Sequence, residues 1–170
     1  GFPIRPNQAF VLDGHFINLG ASKARESNLT VNLHTVSQSE TAHLAKILFE
    51  VNLSFRVPPL SKGYAEGTWE AKEDVHLFGL TSHTHRRGIE VAVSRAERAP
   101  GETTSFEEKE SLYLSRDWSS PAFTVFPEPI LIRAGDGLRY RCLFDNDKMI
   151  PLIFGETSED EMCILYGFYY

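Results

Sequence analysis

The stretch Ile47-Leu48-Phe49-Glu50-Val51-Asn52-Leu53-Ser54-Phe55-Arg56-Val57 has an apolar residue at every second position. Side chains alternate between the two faces of a β-strand, so this pattern predicts one continuous strand with one buried face. The residues expected to be buried are Ile47, Phe49, Val51, Leu53, Phe55 and Val57. A helix would put only every second member of this set, Ile47, Val51 and Phe55, on one side. Pro58-Pro59 is expected to end the strand, because proline cannot donate to a sheet ladder.

Short apolar runs of the same kind recur along the chain, with turn-forming residues between them. Strands are expected near 8–19, 29–33, 68–85, 89–93, 122–126, 130–133, 138–144, 149–154 and 162–170, and an exposed loop over 99–110. Many short strands with frequent turns and no long helix are typical of an all-β fold. We therefore predict an antiparallel β-sandwich or jelly roll of about eight or more strands.

Length, composition and charge limit the class of protein. A chain of 170 residues with 42% hydrophobic residues suits one domain with a substantial core, expected to span residues 1–170. The net charge of -6 argues against a nucleic-acid partner. No apolar run approaches the ~20 residues of a membrane span, so none is expected. The first residue is Gly1 rather than methionine, which favours a processed form or a fragment.

The stretch Val75-His76-Leu77-Phe78-Gly79-Leu80-Thr81-Ser82-His83-Thr84-His85 carries the first chemical signal. Its alternation predicts an extended strand, on which residues two apart point to the same face. His83 and His85 would then present two imidazoles side by side, as a first-row transition metal requires. Two ordinary surface histidines near a strand end are the alternative. These residues alone leave both interpretations open.

The last predicted strand, 161–170, places Met162 and Cys163 on opposite faces. A lone methionine in a strand usually fills the core. A thioether beside two imidazoles instead suits copper, Cu(I) especially, whereas zinc would prefer a thiolate, a carboxylate or a third imidazole. The chain has two cysteines, Cys142 and Cys163, which form no Cys-x-x-Cys pair. They could form one disulfide or remain two free core thiols.

Two motifs together resemble those of a known family. They are His83-Thr84-His85-x-x-Gly88 and Gly155-x-Thr157-Ser158-x-Asp160-Glu161-Met162-Cys163, the second of which runs into a Tyr-Tyr end. Upstream, Phe10-Val11-Leu12-x-x-His15-Phe16 is similar to a strand of the same family. On these residues the chain resembles, over nearly its whole length, the C-terminal domain of the type II copper, ascorbate-dependent monooxygenases.

The resemblance implies a copper site and its surroundings. His83, His85 and Met162 would hold one copper ion, where the family binds dioxygen and attacks a substrate C–H bond. A disulfide between Cys142 and Cys163 would fix the methionine-bearing strand and imply a secreted or periplasmic location.

Two further residues match family positions beside the copper. Tyr166 matches a tyrosine near the substrate, and His76 matches a histidine just outside the copper shell, where it would support the ligands.

The implied function is that of a copper monooxygenase that hydroxylates a small-molecule or peptide-like substrate with dioxygen, with ascorbate as the reductant. Family enzymes hold a second copper with three histidines, including an adjacent pair that this chain lacks. His15 matches the third of them. It is an orphan ligand if the chain is a fragment, and an upstream domain or partner chain would then supply the rest. In a free-standing domain it is an ordinary strand histidine.

The incomplete second site supports an alternative function. A stand-alone domain could bind copper for storage, delivery or electron transfer without turnover.

Substrate recognition also departs from the peptide-hydroxylating members of the family. Thr81 stands where they use an arginine to bind the substrate carboxylate, and Ile164 stands where they have an asparagine. A peptide ending in glycine is therefore not the expected substrate. The nearby pair Arg86-Arg87 is expected to be a solvated strand end rather than an anion site.

Overall fold

The computed structural model of the protein describes residues 1–12, 14, 16, 23–24, 26–102 and 104–170. The chain divides into two compact units, Gly1–Ala45 and Lys46–Tyr170, and each is described by itself. The sequence predicts a single domain over residues 1–170, and this stays a prediction. No described residue lies in an α-helix, and no described helix is long and apolar enough to cross a membrane.

The first unit contains one short regular element, the 3-10 helix Gln38–Glu40. Ser37 caps it, since the Ser37 N–H donates to the Glu40 carboxylate at 3.0 Å. The strand predicted over 29–33 is wrong, because these residues pair with no described strand and Leu29 remains 52% exposed. Within the predicted strand 8–19, residues 8–12, 14 and 16 are not in a strand, and the rest, including His15, lies outside the described residues.

The second unit is an antiparallel β-sandwich. Its strands are β1 (Lys46–Val51), β2 (Arg56–Val57), β3 (Ser61–Glu70), β4 (Val75–His83), β5 (Gly88–Arg98), β6 (Phe106–Ser115), β7 (Thr124–Ile132), β8 (Gly137–Asn146), β9 (Leu152–Ile153) and β10 (Ile164–Tyr169). One four-stranded sheet has the order β1-β10-β4-β7 and the other β3-β8-β5-β6, while β2 and β9 form a small third sheet. The predicted all-β antiparallel sandwich is confirmed.

The core lies between the two four-stranded sheets. Its largest fully buried apolar side chains are Phe144, Leu77, Leu80, Ile132, Leu138 and Leu165. Each such side chain contributes on the order of 2 kcal/mol relative to an exposed position. β4, which ends within the histidine motif, and β10, which follows the methionine motif, are the central pair of one sheet. The core therefore supports both strands along their inner face.

The strand predicted over 47–57 is two strands, β1 and β2. Asn52 interrupts it, because its Nδ2 donates to the Glu66 carbonyl oxygen at 2.8 Å and its Oδ1 accepts the Ser54 N–H at 2.9 Å. The set of alternate residues that points into the core changes at this break, from even-numbered to odd-numbered positions. In β1 the buried residue is Leu48, whereas the predicted Ile47 is 56% exposed.

Beyond the break, the predicted Leu53 is 60% exposed, whereas Phe55 and Val57 are buried. The expected buried face is therefore correct only for these last two residues.

Other boundaries also differ from the prediction. The predicted strand 68–85 is the end of β3, a turn and β4, so His85 lies beyond the strand rather than in it. Residues 106–110, expected in a loop, belong to β6. The two predicted strands at 122–133 are one strand, β7, which tolerates Pro127 and Pro129 because it lies at a sheet edge.

Candidate metal centre

The two halves of the predicted copper site meet where β4 ends and β10 begins. In the antiparallel ladder between them, His83 lies opposite Ile164 and Ser82 lies opposite Leu165. Met162 is two residues before Ile164, so it enters this ladder at the same end of the sheet as the histidines. The His83 and His85 rings are 5.1 Å apart between centroids and nearly perpendicular, at 88°. The predicted side-by-side pair of imidazoles is present, although only His83 is in the strand.

The turn that follows His83 places the second imidazole. The Gly88 N–H donates to the His85 carbonyl oxygen at 3.0 Å, which closes a tight turn over residues 85–88. A Cβ at position 88 would collide with Thr84 Oγ1 and Cβ, so only glycine allows this close approach. The glycine in the His-Thr-His-x-x-Gly motif is therefore required by packing within the turn.

The tautomer of His85 is set by its backbone contact. Its Nδ1 lies 3.1 Å from the carbonyl oxygen of Asp160, and a carbonyl can only accept a hydrogen bond, so Nδ1 must carry the proton. In a neutral ring the lone pair is then on Nε2, which is buried. This is the arrangement in which a histidine coordinates a metal through Nε2 while a carbonyl orients the ring.

A buried carboxylate joins the histidine turn to the methionine segment. Glu161 is 0% exposed, and its Oε2 accepts the His85 N–H at 2.7 Å while its Oε1 accepts the Arg87 N–H at 2.6 Å. Burial raises the pKa of Glu161 to about 6, an effect opposed by the N–H donors of Arg87, His85 and Met162. Glu161 is part of the second sequence motif, but the motif alone gives it no function. The local sign of its role is a charged residue directly before the apolar run that forms the last strand.

Cys142 and Cys163 form a disulfide, which excludes two free thiols. Cys142 is in β8 and Cys163 directly precedes β10, so the bond connects the two sheets beside Met162. Both cysteines are fully buried. The disulfide pairing predicted from the resemblance is confirmed.

Comparison with known proteins agrees with this geometry. The family model described as copper type II ascorbate-dependent monooxygenase, C-terminal domain, matches residues 61–170. The chain belongs to this family. Peptidyl-glycine alpha-amidating monooxygenase A of Xenopus laevis is 27% identical over 165 residues, which cover 95% of this chain and 17% of that protein. Its B form is also 27% identical, over 164 residues and 18% of its length. The chain thus spans less than a fifth of these relatives.

The tyrosine predicted near the substrate of this monooxygenase-family domain is on the outer face of the sheet. Tyr166 lies opposite Thr81, which is two residues before His83 and so shares its face of β4. The Tyr166 ring is 5.3 Å from the Phe49 ring. Thr81 Oγ1 donates to the Ala122 carbonyl oxygen at 2.8 Å, so its hydroxyl proton is used within the protein.

The supporting role predicted for His76 stays a prediction. His76 is near the start of β4, seven residues before His83. Its ring stacks on Tyr170 with 5.2 Å between centroids. His85 itself forms hydrogen bonds with Asp160 and Glu161.

The basic pair after the histidines is not simply solvated, as the sequence suggested. Arg87 is only 6% exposed, and its guanidinium donates to Asp147 at 2.6 Å and to the Glu159 carboxylate at 3.2 Å. Hydrogen bonds from Arg87 hold the pKa of both carboxyl groups below the ordinary values. Arg86, which is more exposed, also pairs with Glu159. Both arginines therefore bind acidic groups of the protein itself.

Across the parts of the chain that the structure describes, no three histidine, cysteine or acidic side chains are grouped to hold a metal ion. His15, the predicted orphan ligand of a second copper, is outside the described residues.

Proposed function

We propose that this chain is the oxygen-binding copper domain of a copper- and ascorbate-dependent monooxygenase, with His83, His85 and Met162 as the ligands of one copper ion. The observation that carries the proposal is the approach of the methionine segment to the histidine pair across the end of the β4–β10 ladder. The hydrogen bonds from the His85 turn to Glu161, the residue before Met162, strengthen it.

The donor set fits copper. Two imidazoles and a thioether are soft enough for Cu(I), and a thioether is a poor ligand for zinc. When bound, the copper would supply dioxygen binding and one-electron redox chemistry.

The residues of the chain act around that ion. His85 keeps its proton on Nδ1, against the Asp160 carbonyl, so that Nε2 can coordinate. Tyr166 and Phe49 offer an aromatic surface on the face that carries His83, where an organic substrate would be oriented.

The substrate is a small or peptide-like organic molecule without a carboxylate anchor at this sheet. Thr81 and Ile164 occupy the positions where the resemblance implies an arginine and an asparagine for a glycine-extended peptide. The Thr81 hydroxyl donates to Ala122, and an isoleucine offers no hydrogen bond. A carboxylate would therefore find no cationic partner at either position.

The second copper and the location of the protein complete the proposal. The relatives are far longer than this chain, which supports an upstream domain or a partner chain that provides the electron-supplying copper, with His15 as one ligand. The disulfide supports a secreted or periplasmic location, because such bonds persist in oxidising compartments. Copper storage, delivery or electron transfer without turnover is the second candidate, favoured by the absence of an adjacent His-His pair from the sequence.

The test is a Cu(I) titration in competition with a chromophoric chelator, followed by oxygen uptake with ascorbate. We expect one copper ion per chain. Met162→Ile should weaken Cu(I) binding tenfold or more, whereas Met149→Ile is a matched control because Met149 is 79% exposed and the chain has no other methionine. Equal affinities in the two variants would refute the ligand assignment. Copper binding without oxygen uptake, even with the natural upstream domain present, would favour the second candidate.

A further inference from the structure

We propose that Glu161 is a positioning residue of the copper site, which sets the distance between the histidine and methionine ligands by binding the main chain of the histidine turn. This inference rests on the proposed function. It concerns a residue that need not touch copper, substrate or oxygen, and that acts on the ligands through the backbone.

The carboxylate binds two alternate amides of one turn. Its two oxygens accept the N–H groups of His85 and Arg87, at 2.7 and 2.6 Å, so each oxygen has its own donor. Two short bonds to one rigid group fix both the position and the rotation of the turn. Because His85 is itself one of the two bonded residues, any shift of the carboxylate moves the second imidazole directly.

The main chain of Glu161 is held from the opposite side. Its N–H donates to the Ile153 carbonyl oxygen at 3.1 Å, and its carbonyl accepts the Gly155 N–H at 3.1 Å. The disulfide at Cys163 fixes the chain two residues further on. Met162 is therefore placed between two anchored residues, and the side chain of one of them carries the histidine turn.

The chemistry of the position requires a carboxylate rather than a polar side chain in general. The two donors from the histidine turn are both N–H groups, so the partner must offer two acceptor atoms. A glutamine would turn its NH2 group toward one amide, and that buried N–H would lose its partner, which costs more than the bond alone contributes. A leucine of similar size would leave both amides without an acceptor.

The decisive variant is Glu161→Gln, and Glu159→Gln is the matched control. Glu159 is two residues from Glu161, and its replacement by glutamine removes the same charge. Its carboxylate, however, is exposed and pairs with arginine side chains. For each variant we would measure Cu(I) affinity by chelator competition, the copper–sulfur contribution to the X-ray absorption spectrum, and the unfolding midpoint of the metal-free protein.

We expect Glu161→Gln to weaken Cu(I) binding by about 10–100-fold, the usual cost of losing a supporting partner of a metal ligand. We also expect it to diminish the copper–sulfur signal, which a loss of fold stability alone would not do in a protein that remains folded. Glu159→Gln should change the affinity less than about twofold, because Arg87 keeps its 2.6 Å hydrogen bond to Asp147 and the Glu159 carboxylate is itself exposed. A folded Glu161→Gln protein with the affinity and sulfur signal of the parent would overturn the inference.

Amide hydrogen exchange on the unaltered protein keeps the test decisive if Glu161→Gln does not fold. The His85 and Arg87 amides should be strongly protected, and exchange at the rate of unstructured chain would overturn the inference. The proposed function fails separately: it is refuted if the unaltered protein binds Cu(I) without a sulfur ligand, whatever Glu161 does.

Discussion

Removal of the Cys142–Cys163 disulfide should lower the free energy of unfolding by about 3 kcal/mol. The two cysteines are 21 residues apart, and a cross-link that closes a loop of this length removes about 3 kcal/mol of chain entropy from the unfolded state. For a chain of 170 residues, this corresponds to a fall in the melting temperature of roughly 10 °C. The double variant Cys142→Ala/Cys163→Ala avoids a lone buried thiol.

The assay is urea unfolding of three samples: the oxidised parent, the parent with a phosphine reductant, and the double alanine variant. The reduced parent and the variant should unfold at similar, lower urea concentrations, and the reductant should not change the variant further. A difference below about 1 kcal/mol between oxidised and reduced parent would refute the reasoning, because it would mean that the unfolded chain gains little freedom when the loop opens.

Three further predictions concern the packing around the site. Gly88→Ala should destabilise the protein by about 1–3 kcal/mol and weaken Cu(I) binding, because the added methyl group collides with Thr84; unchanged urea unfolding would contradict the structure of the turn. Leu165→Ala should lower the free energy of unfolding by about 2–5 kcal/mol, since Leu165 is 0% exposed. Leu53→Ala, at a 60% exposed position, should lower it by less than about 1 kcal/mol in the same unfolding assay. Burial raises the pKa of Tyr140 to about 12, so its folded pKa is above the unfolded value of about 10. The stabilisation from the neutral phenol should be complete below pH ~10 and lost as the pH rises through about 12. Absorbance at 295 nm should show a late-titrating tyrosine in the parent that is missing in Tyr140→Phe. Identical titration curves for the two proteins would refute the burial argument.

The fold class was predictable because its signal is local. Alternation in β4 and β10 indicates strands with one buried face, and in the structure that face includes the fully buried Leu77 and Leu165. The break at Asn52 was not predictable, since it depends on a carbonyl of Glu66 that reaches it from another strand. The strand β6 was missed because it is an edge strand with mostly exposed charged residues, which look like loop composition.

The candidate site shows the same limit. The sequence alone points to the proposed ligands because their motifs are short and contiguous. Glu161 acquires its role only when the chain brings it to an amide 76 residues away, and no local pattern records that distance.

The hydrogen bonds between Glu161 and the histidine turn have a consequence for redesign. The carboxylate accepts backbone N–H groups, which every residue except proline carries, so these bonds do not depend on the side chain at position 87. The side chains that would face a substrate, at positions 81 and 164, are on the outer side of the ladder and take no part in these bonds. Under the proposed function, a combinatorial library at those two positions should therefore change which molecules bind without breaking the hydrogen bonds between Glu161 and the histidine turn.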